Sequence, residues 1–595
     1  MSAIPRESQD YTAPAFFERT IDLSRINFDI VLFTGLVLLS VVAHLWGLGH
    51  MAMHHDESIH AWTSWRFYTG AGSFTCASGR VASTYCYDPV YHGPALYMFT
   101  LLSYFLFGDG ELQARLPEAL AGIGLVASAW MLRPYLGRRG AFIAGVLLAF
   151  APTLLYFTRF ARHDGLMLLW TFWIVIGFFR YLDTAQPRYL YLLAIGAGLA
   201  MTTHELYYIL FFLFGAFLLI RLLFETQPRR RLSLGLAAIL AVACVLIITD
   251  PPITDKLYAG GLALLVAVIV GMGLLMIRVW EEAPILLPRA RLLWYEQRRE
   301  LWIAVGILAA IFVLFYSTFF ADPRGIIDGL YQGLSYWLGS QHAYQRADQP
   351  WYYYLMVLPL YEPLALFGGI GAAIFLFTRP ALRSWGFAGV AQPKQPAVVD
   401  TADLVEQDGT TVAAEANGAL ADEGLAEASN GTGREALIAP AVAQPAAPAI
   451  ALFPLFLAFW FIGALVAFSW AGEKMPWLSI HIALPGNLLV AWALGRLLDS
   501  VEWRALPDRR AALIPPALVL LLIAFSVAMW RLGSPGEGQQ GQAALLQGLI
   551  PLAIMGALIY GILTIGQAIG SRMTLTLCAL TIAVLLGAYM IRATW

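Results

Sequence analysis

The chain has 595 residues, 59% of them hydrophobic and only 13% charged, with a mean hydropathy of +0.67. Soluble domains carry about 25% charged residues, so this much apolar surface has no place in water and the chain reads as a polytopic membrane protein. A net charge of −2 excludes nucleic acid as a bulk electrostatic partner, and four cysteines exclude a disulfide-dense scaffold or a clustered zinc site.

Residues 1–28 are polar up to the first apolar run and lack the short basic start and cleavage site of a removable signal. The first span is therefore expected to stay in the membrane, with 1–28 as a cytoplasmic segment. Apolar runs of about 17–25 residues count as spans. The chain offers them at 29–48, 113–132, 140–158, 165–182, 188–203, 205–223, 232–249, 260–279, 301–320, 354–378, 450–470, 481–498, 511–530, 545–567 and 574–592. The pairs meeting near 159–165 and 203–205 are tight, so the expectation is an all-α bundle of about 13–15 transmembrane spans. Residues 94–107 are apolar too, but too short to cross. They are expected to lie at the interface within a long first outer loop, 49–112.

With the N-terminus inside and 94–107 not crossing, 26 of the 37 basic residues fall on the cytoplasmic side, as the positive-inside rule requires. Were 94–107 to cross, every later loop would change sides and the rule would fail. Residues 379–449 are rich in Ala, Glu, Gln and Pro and cannot bury a core. They read as a disordered cytoplasmic linker between a chemistry-bearing membrane domain at 29–378 and C-terminal helices at 450–595.

The unusual polar residues collect on the other side. His54, His55, Asp56, Glu57 and His60 follow the first span, and Asp88 and His92 come later in the same loop. Arg159, Arg162, His163 and Asp164 share one turn, and His204 and Glu205 the next. Gln341, His342, Tyr344 and Arg346 lie in a loop rich in Tyr and Trp, and Glu473 and Lys474 in AGEKMPWLSIH. Eight of the ten histidines are in these clusters. Each has a plain alternative: a solvated helix start for Asp56 and Glu57, a structural ion pair at Arg162 and Asp164, a snorkelling cation at Lys474, an aromatic belt around His342 and Arg346. Together they suggest an outward-facing active site at the membrane surface. Cys76 and Cys86 share that outer loop, and an oxidising compartment favours a disulfide between them. Cys244 and Cys578 lie in spans and are expected to be inert.

The order of these motifs resembles the GT-C superfamily of membrane glycosyltransferases. Asp56-Glu57 after the first span, His92-Gly93-Pro94 with the continuation FGDGELQARLPEALAG, and the Arg-rich turn with Asp164 carry the likeness over 30–210. Within the superfamily the protein O-mannosyltransferase and lipid A aminoarabinose transferase branch is most similar. AGEKMPWLSIHIALPG at 469–487 resembles more narrowly the flippase-activity-associated glycosylation proteins. The chain departs where many relatives have His-Pro-Pro instead of His92-Gly93-Pro94, and a Lys near His204-Glu205.

The resemblance implies sugar transfer from a polyprenyl-phosphate carrier to an acceptor protein, lipid or glycan on the outer face, by a single inverting displacement. Asp56 would be the base, Glu57 its orienting or metal-binding neighbour and Asp164 the second acid. Arg159, Arg162 and Lys474 would neutralise the carrier phosphate, while His92, His204, Glu205, His342 and Arg346 would contact substrates. The hard acids Asp56, Glu57 and Asp164 would suit Mg²⁺ or Mn²⁺. A lipid flippase or transporter and a non-catalytic accessory protein are the competing classes. The first would bury ionisable groups in broken helices near the midplane, whereas here the spans read as nearly free of charge between their ends.

Overall fold

A computed structural model of the chain describes residues 27–76, 78–249, 259–280, 282–336, 349–382, 451–501, 503, 510–533 and 539–594. The linker beyond residue 382, almost all of 1–28, and the loop holding Gln341, His342, Tyr344 and Arg346 lie outside the described residues. Apart from one two-stranded hairpin, β1 (Phe74–Thr75) and β2 (Val81–Ala82), the described elements are helices. In chain order they begin with α1 (Phe28–Leu45), α2 (His55–Thr69), α3 (Ala95–Phe107), α4 (Glu111–Ser128), α5 (Arg133–Phe150), α6 (Pro152–Phe157) and α7 (His163–Thr184). Next come α8 (Pro187–Thr203), α9 (Tyr207–Thr226), α10 (Arg229–Thr249), α11 (Ala259–Val279), α12 (Leu286–Tyr295), α13 (Arg298–Tyr316) and α14 (Gly325–Ser335). The series closes with α15 (Tyr353–Tyr361), α16 (Gly369–Leu382), α17 (Leu452–Trp470), α18 (Ser479–Asp499), α19 (Ile514–Gly533), α20 (Gln539–Ile569) and α21 (Ser571–Thr594).

Among the described residues, 12 helices are long and apolar enough to cross a membrane, or 13 with α15 and α16 taken as one span bent by 107°. That count treats 111–150 as a single helix. The backbone reverses there at Gly137, whose φ of +78° places it in the left-handed region. Asp29, at the start of α1, pairs with both Arg133 and Arg138, while Gly49, beyond the other end of α1, packs on Leu112. α4 and α5 therefore run in opposite directions. Splitting them gives one helix more than that count, and the 17-residue α8 falls just short of it.

These contacts also sort the ends of the helices into two faces. Asp29, Arg133, Arg138, Arg139 and Asp499 meet on one, which is Arg-rich. The first loop, the turn before α7 and the α8–α9 turn meet on the other, where Arg159 donates to Trp46 O and Gly93 N–H to Thr203 O. Both ends of α3 stay on that second face, since Gly93 precedes it and Asp109, just after it, accepts from Trp65. The short apolar run does not cross, as expected. It packs between α2 and α4, with Ala95, Leu96 and Tyr97 fully buried.

α17 and α18, which follow the linker, pack against α5, α9, α11 and α16 in the middle of the bundle. In α7, 83% of the spanning window is buried inside the protein, whereas in α20 only 11% is. The two membrane blocks thus share one core, and α19 to α21 form its lipid-facing edge. α5 and α18 touch through glycine: a Cβ on Gly495 would lie 2.7 Å from the Gly140 backbone. Such close backbone approach is how helices associate without a hydrophobic driving force.

Candidate active site

The site grows from the start of α2. His54 caps that helix, its Nδ1 accepting from Asp56 N–H and its own N–H donating to Glu57. This capping box sends the two neighbouring acids in different directions. Glu57 is buried against Arg115 of α4, with Arg115 Nε 2.7 Å from Oε1, and it also accepts from Ala161 N–H at 2.8 Å. Arg115 further donates to Leu48 O and Met51 O. Burial alone would raise the Glu57 carboxyl, but Arg115 and the backbone N–H groups of Ala161 and His54 outweigh it and hold it below the usual carboxylate range. Glu57 is thus a structural anchor that fixes α2 to α4 and to the turn before α7. The sequence expectation that it works beside Asp56 is corrected by this ion pair.

Asp56 turns to Arg162, at 2.6 Å, and stays partly open, with a quarter of its side chain exposed. Arg162 is extended at the N-terminus of α7 and spans the site. Its Nε lies 3.1 Å from Asp164, one terminal nitrogen lies 3.5 Å from His92 Nε2, and its carbon stacks 3.8 Å over the Trp477 ring. Asp164 sits in the first turn of α7, where the helix dipole favours an acid, and its other oxygen is 3.2 Å from His481 Nε2 on α18. One guanidinium is shared by two carboxylates, an imidazole and an indole.

Behind His92 lies a second group. His92 Nδ1 is 3.0 Å from Glu205, whose other oxygen accepts from Tyr87 O–H at 2.9 Å. His204 stacks on His92 with ring centres 4.0 Å apart. The His92 backbone has φ +67°, a strained value for a side chain of this size. Gly93 explains why it persists: its N–H donates to Thr203 O, and an added Cβ would lie 2.2 Å from Thr202 O. A proline here has no N–H to give, which accounts for this chain's departure from His-Pro-Pro. Burial holds both His204 and His60 well below the usual imidazole range, so both are neutral.

The remaining expectations scatter. Arg159 does not join Arg162. It donates to Trp46 O and lines a cavity of about 730 Å³ with His54, Tyr156, Tyr361 and Trp477, bounded by α6, α15 and the end of α21. Lys474 is buried and donates to Ala471 O. Cys76 and Cys86 are joined by a disulfide that closes the β1–β2 hairpin.

Sequence reading missed Arg115, Glu118, Tyr87, Trp477 and His481. Arg115 and Glu118 stand three apart in ARLPE, hence on one face of α4. That spacing was the available signal. Glu118 Oε2 accepts from Leu166 N–H in the first turn of α7, and it lies so close that Gly165 admits no Cβ. Nor are the spans free of charge: Glu118 is fully buried, and so is Glu362 at the bend between α15 and α16.

Asp56, Glu57 and Asp164 were expected to suit Mg²⁺ or Mn²⁺. As arranged they do not fit such an ion. The Glu57 oxygens are taken by Arg115, Ala161 and His54, and Arg162 occupies the space between Asp56 and Asp164. No step below runs through a metal held there.

Residues 91–254 match the family model described as dolichyl-phosphate-mannose-protein mannosyltransferase. YkcB of Bacillus subtilis (strain 168), which carries a provisional mannosyltransferase name, is 28% identical over 174 residues, covering 28% of this chain and 23% of that protein. Two solved structures align more broadly but loosely. ArnT of Cupriavidus metallidurans bound to undecaprenyl phosphate is 15% identical, over 95% of this chain and 76% of that one, with a TM-score of 0.41. The oligosaccharyltransferase AglB of Archaeoglobus fulgidus, in complex with an inhibitory peptide and a dolichol-phosphate, is 14% identical, over 93% of this chain and 56% of that one, with a TM-score of 0.40. The chain resembles the GT-C membrane glycosyltransferases, and the family match falls on the segment that carries His92, Arg162, Asp164, His204 and Glu205.

Proposed function

We propose that this protein transfers a sugar from a polyprenyl-phosphate carrier to a hydroxyl-bearing acceptor on the extracytoplasmic face of the plasma membrane. The observation that carries the reading is Arg162 held between Asp56 and Asp164 beside the Arg159 cavity. A lipid-linked donor arrives from the bilayer, so its phosphate belongs at a cavity edge that offers cations. The distribution of basic residues, with Arg133, Arg138 and Arg139 on the opposite face, supports the orientation.

In this mechanism the acceptor O–H gives its proton to Asp56 while its oxygen bonds to the anomeric carbon. The bond from that carbon to the carrier phosphate breaks, and its electron pair leaves on the phosphate oxygen. Arg162 and Arg159 stabilise the charge that develops there. Attack from the side opposite the phosphate inverts the anomeric centre. Asp164, itself held by His481, keeps Arg162 in place. His92, which touches Arg162, is close enough to hydrogen-bond donor or acceptor.

The test is transfer from a panel of radiolabelled polyprenyl-phosphate sugars in detergent. Wild type should turn over one of them, and Asp56→Asn should lose at least about 100-fold, the scale of a positioned acid–base group, without loss of expression. Full turnover by Asp56→Asn would remove the proposed base.

One observation favours a transporter instead, namely a buried Glu362 in a broken helix pair. That carboxylate, however, accepts from Thr153 N–H and Oγ–H and from Asn487, which tie the bend to α6 and α18. A group so bound serves the bend rather than a moving substrate.

A further inference from the structure

Glu205 is a buried acid whose oxygens meet imidazoles and a phenol. Its side chain is only 2% exposed, and among the described residues no arginine or lysine forms an ion pair with it. The groups on its oxygens are the Tyr87 hydroxyl, His92 Nδ1 and His204 Nδ1. Buried nitrogen and oxygen donors that converge from separate elements are the arrangement a metal ion takes.

The donor set says which kind. One ligand atom from each of His92, His204 and Glu205 fits within a 4.8 Å span, and all three residues are buried. Glu205 Oε2 lies 3.0 Å from His92 Nδ1 and 3.6 Å from His204 Nδ1. In a tetrahedral zinc site with bonds of about 2.0–2.2 Å, neighbouring ligand atoms stand about 3.3–3.6 Å apart, so these separations need little adjustment. Two imidazoles and one carboxylate suit Zn²⁺ and are wrong for Mg²⁺. The metal would take over the His204 lone pair that now meets Leu206 N–H, at the loss of one backbone hydrogen bond. A further nitrogen waits beside it. His163 donates through Nε2 to Gly93 O, leaving Nδ1 a lone pair with no partner among the described residues, and its ring centre is 5.2 Å from that of His92.

We infer that His92, His204 and Glu205 form a transition-metal site of the Zn²⁺ type, distinct from the Asp56–Arg162–Asp164 group. His92 and Glu205 lie 113 positions apart in the chain. The metal would clip the first loop to the α8–α9 turn and so fix the His92 ring against Arg162. Tyr87 then holds the non-ligating oxygen of Glu205, as outer partners of metal ligands commonly do. The site stands on its own whether or not the transfer reading holds, because its readout is bound metal.

The experiment uses the full chain, purified in detergent through a tag without histidine, incubated with Zn²⁺, desalted and analysed by elemental mass spectrometry. Wild type and Asp56→Asn should both retain about one Zn²⁺ per chain, as a single site requires, while His204→Gln and Glu205→Gln fall to background. Gel filtration and helix content establish that each variant is folded. Where Glu205→Gln is not, His92→Gln replaces it. Loading with Co²⁺ should give the intense visible absorption of a tetrahedral ion in wild type and not in His204→Gln. Wild type that retains no Zn²⁺, or His204→Gln that retains as much as wild type, overturns the proposal.

Discussion

At the scale of single residues, the decisive feature is how the two neighbouring acids divide their work. Glu57 is tied to Arg115, and Asp56 to Arg162. Breaking a buried pair by removing one partner leaves a stranded charge and costs about 3–5 kcal/mol. Glu57→Gln should therefore lower the thermal midpoint in detergent, where a surface acid would do nothing measurable. The pH dependence follows from the sign. The folded-state value of Glu57 lies below its ordinary 4.5, so its contribution is complete above about that pH and is lost as pH falls through the folded value. Midpoints measured from neutral to acid pH should fall steeply for wild type and more gently for Glu57→Gln. The sequence carried both acids and their place after the first span. It did not carry their partners, because Arg115 is 58 positions away and Arg162 is 106 away. Pairing across such distances is a product of the fold.

At the scale of elements, α7 and α18 hold the site between them. Asp164 is on α7, His481 is on α18, and Trp477 comes just before α18. The position of α18 depends in turn on its glycine contact with α5. Gly495→Leu would drive a side chain into the Gly140 backbone, and overpacking of this kind costs about 1–3 kcal/mol. The expected result is a lower thermal midpoint together with reduced transfer, since α18 cannot shift without moving His481 from Asp164. Unchanged transfer in a destabilised Gly495→Leu variant would show that His481 plays no part in holding the acid. Hydropathy made these helices easy to find, and 12 or 13 of the described helices are long and apolar enough to cross a membrane. What hydropathy lacks is order from centre to edge. α17 and α20 are both strongly apolar, yet 78% of one spanning window is buried in protein and 11% of the other. Lipid and protein interior are equally apolar, so composition cannot tell them apart.

At the scale of the whole molecule, the two faces make a sharp expectation about sidedness. Val90 is exposed on the face of the site, and Asp499 lies on the Arg-rich face. In a chain with Cys244 and Cys578 replaced, a cysteine at 90 should react with a membrane-impermeant maleimide on intact cells. One at 499 should react only after permeabilisation. Reversal of that pattern would invert the orientation and remove the extracytoplasmic reading. The expectation rests on the charge bias, which depends on counts at the ends of spans rather than on contacts. The same counts kept 94–107 from crossing, while its role, burying Tyr97 with its hydroxyl 2.8 Å from His60 Nδ1, was not foreseen.

The pairing of Asp164 with His481 also bears on how the protein is made. The two residues are separated by 317 positions. At synthesis rates of about 5–20 residues per second, roughly 15–60 seconds elapse between the emergence of one and of the other. During that interval α7 is already in the bilayer with a carboxylate at its end, while α17 and α18 have yet to be threaded. The helices of the first block cannot complete their core until those beyond the linker arrive. A ribosome that stalls within the linker would leave a membrane-inserted fragment without its innermost helices, a natural substrate for membrane quality-control proteolysis.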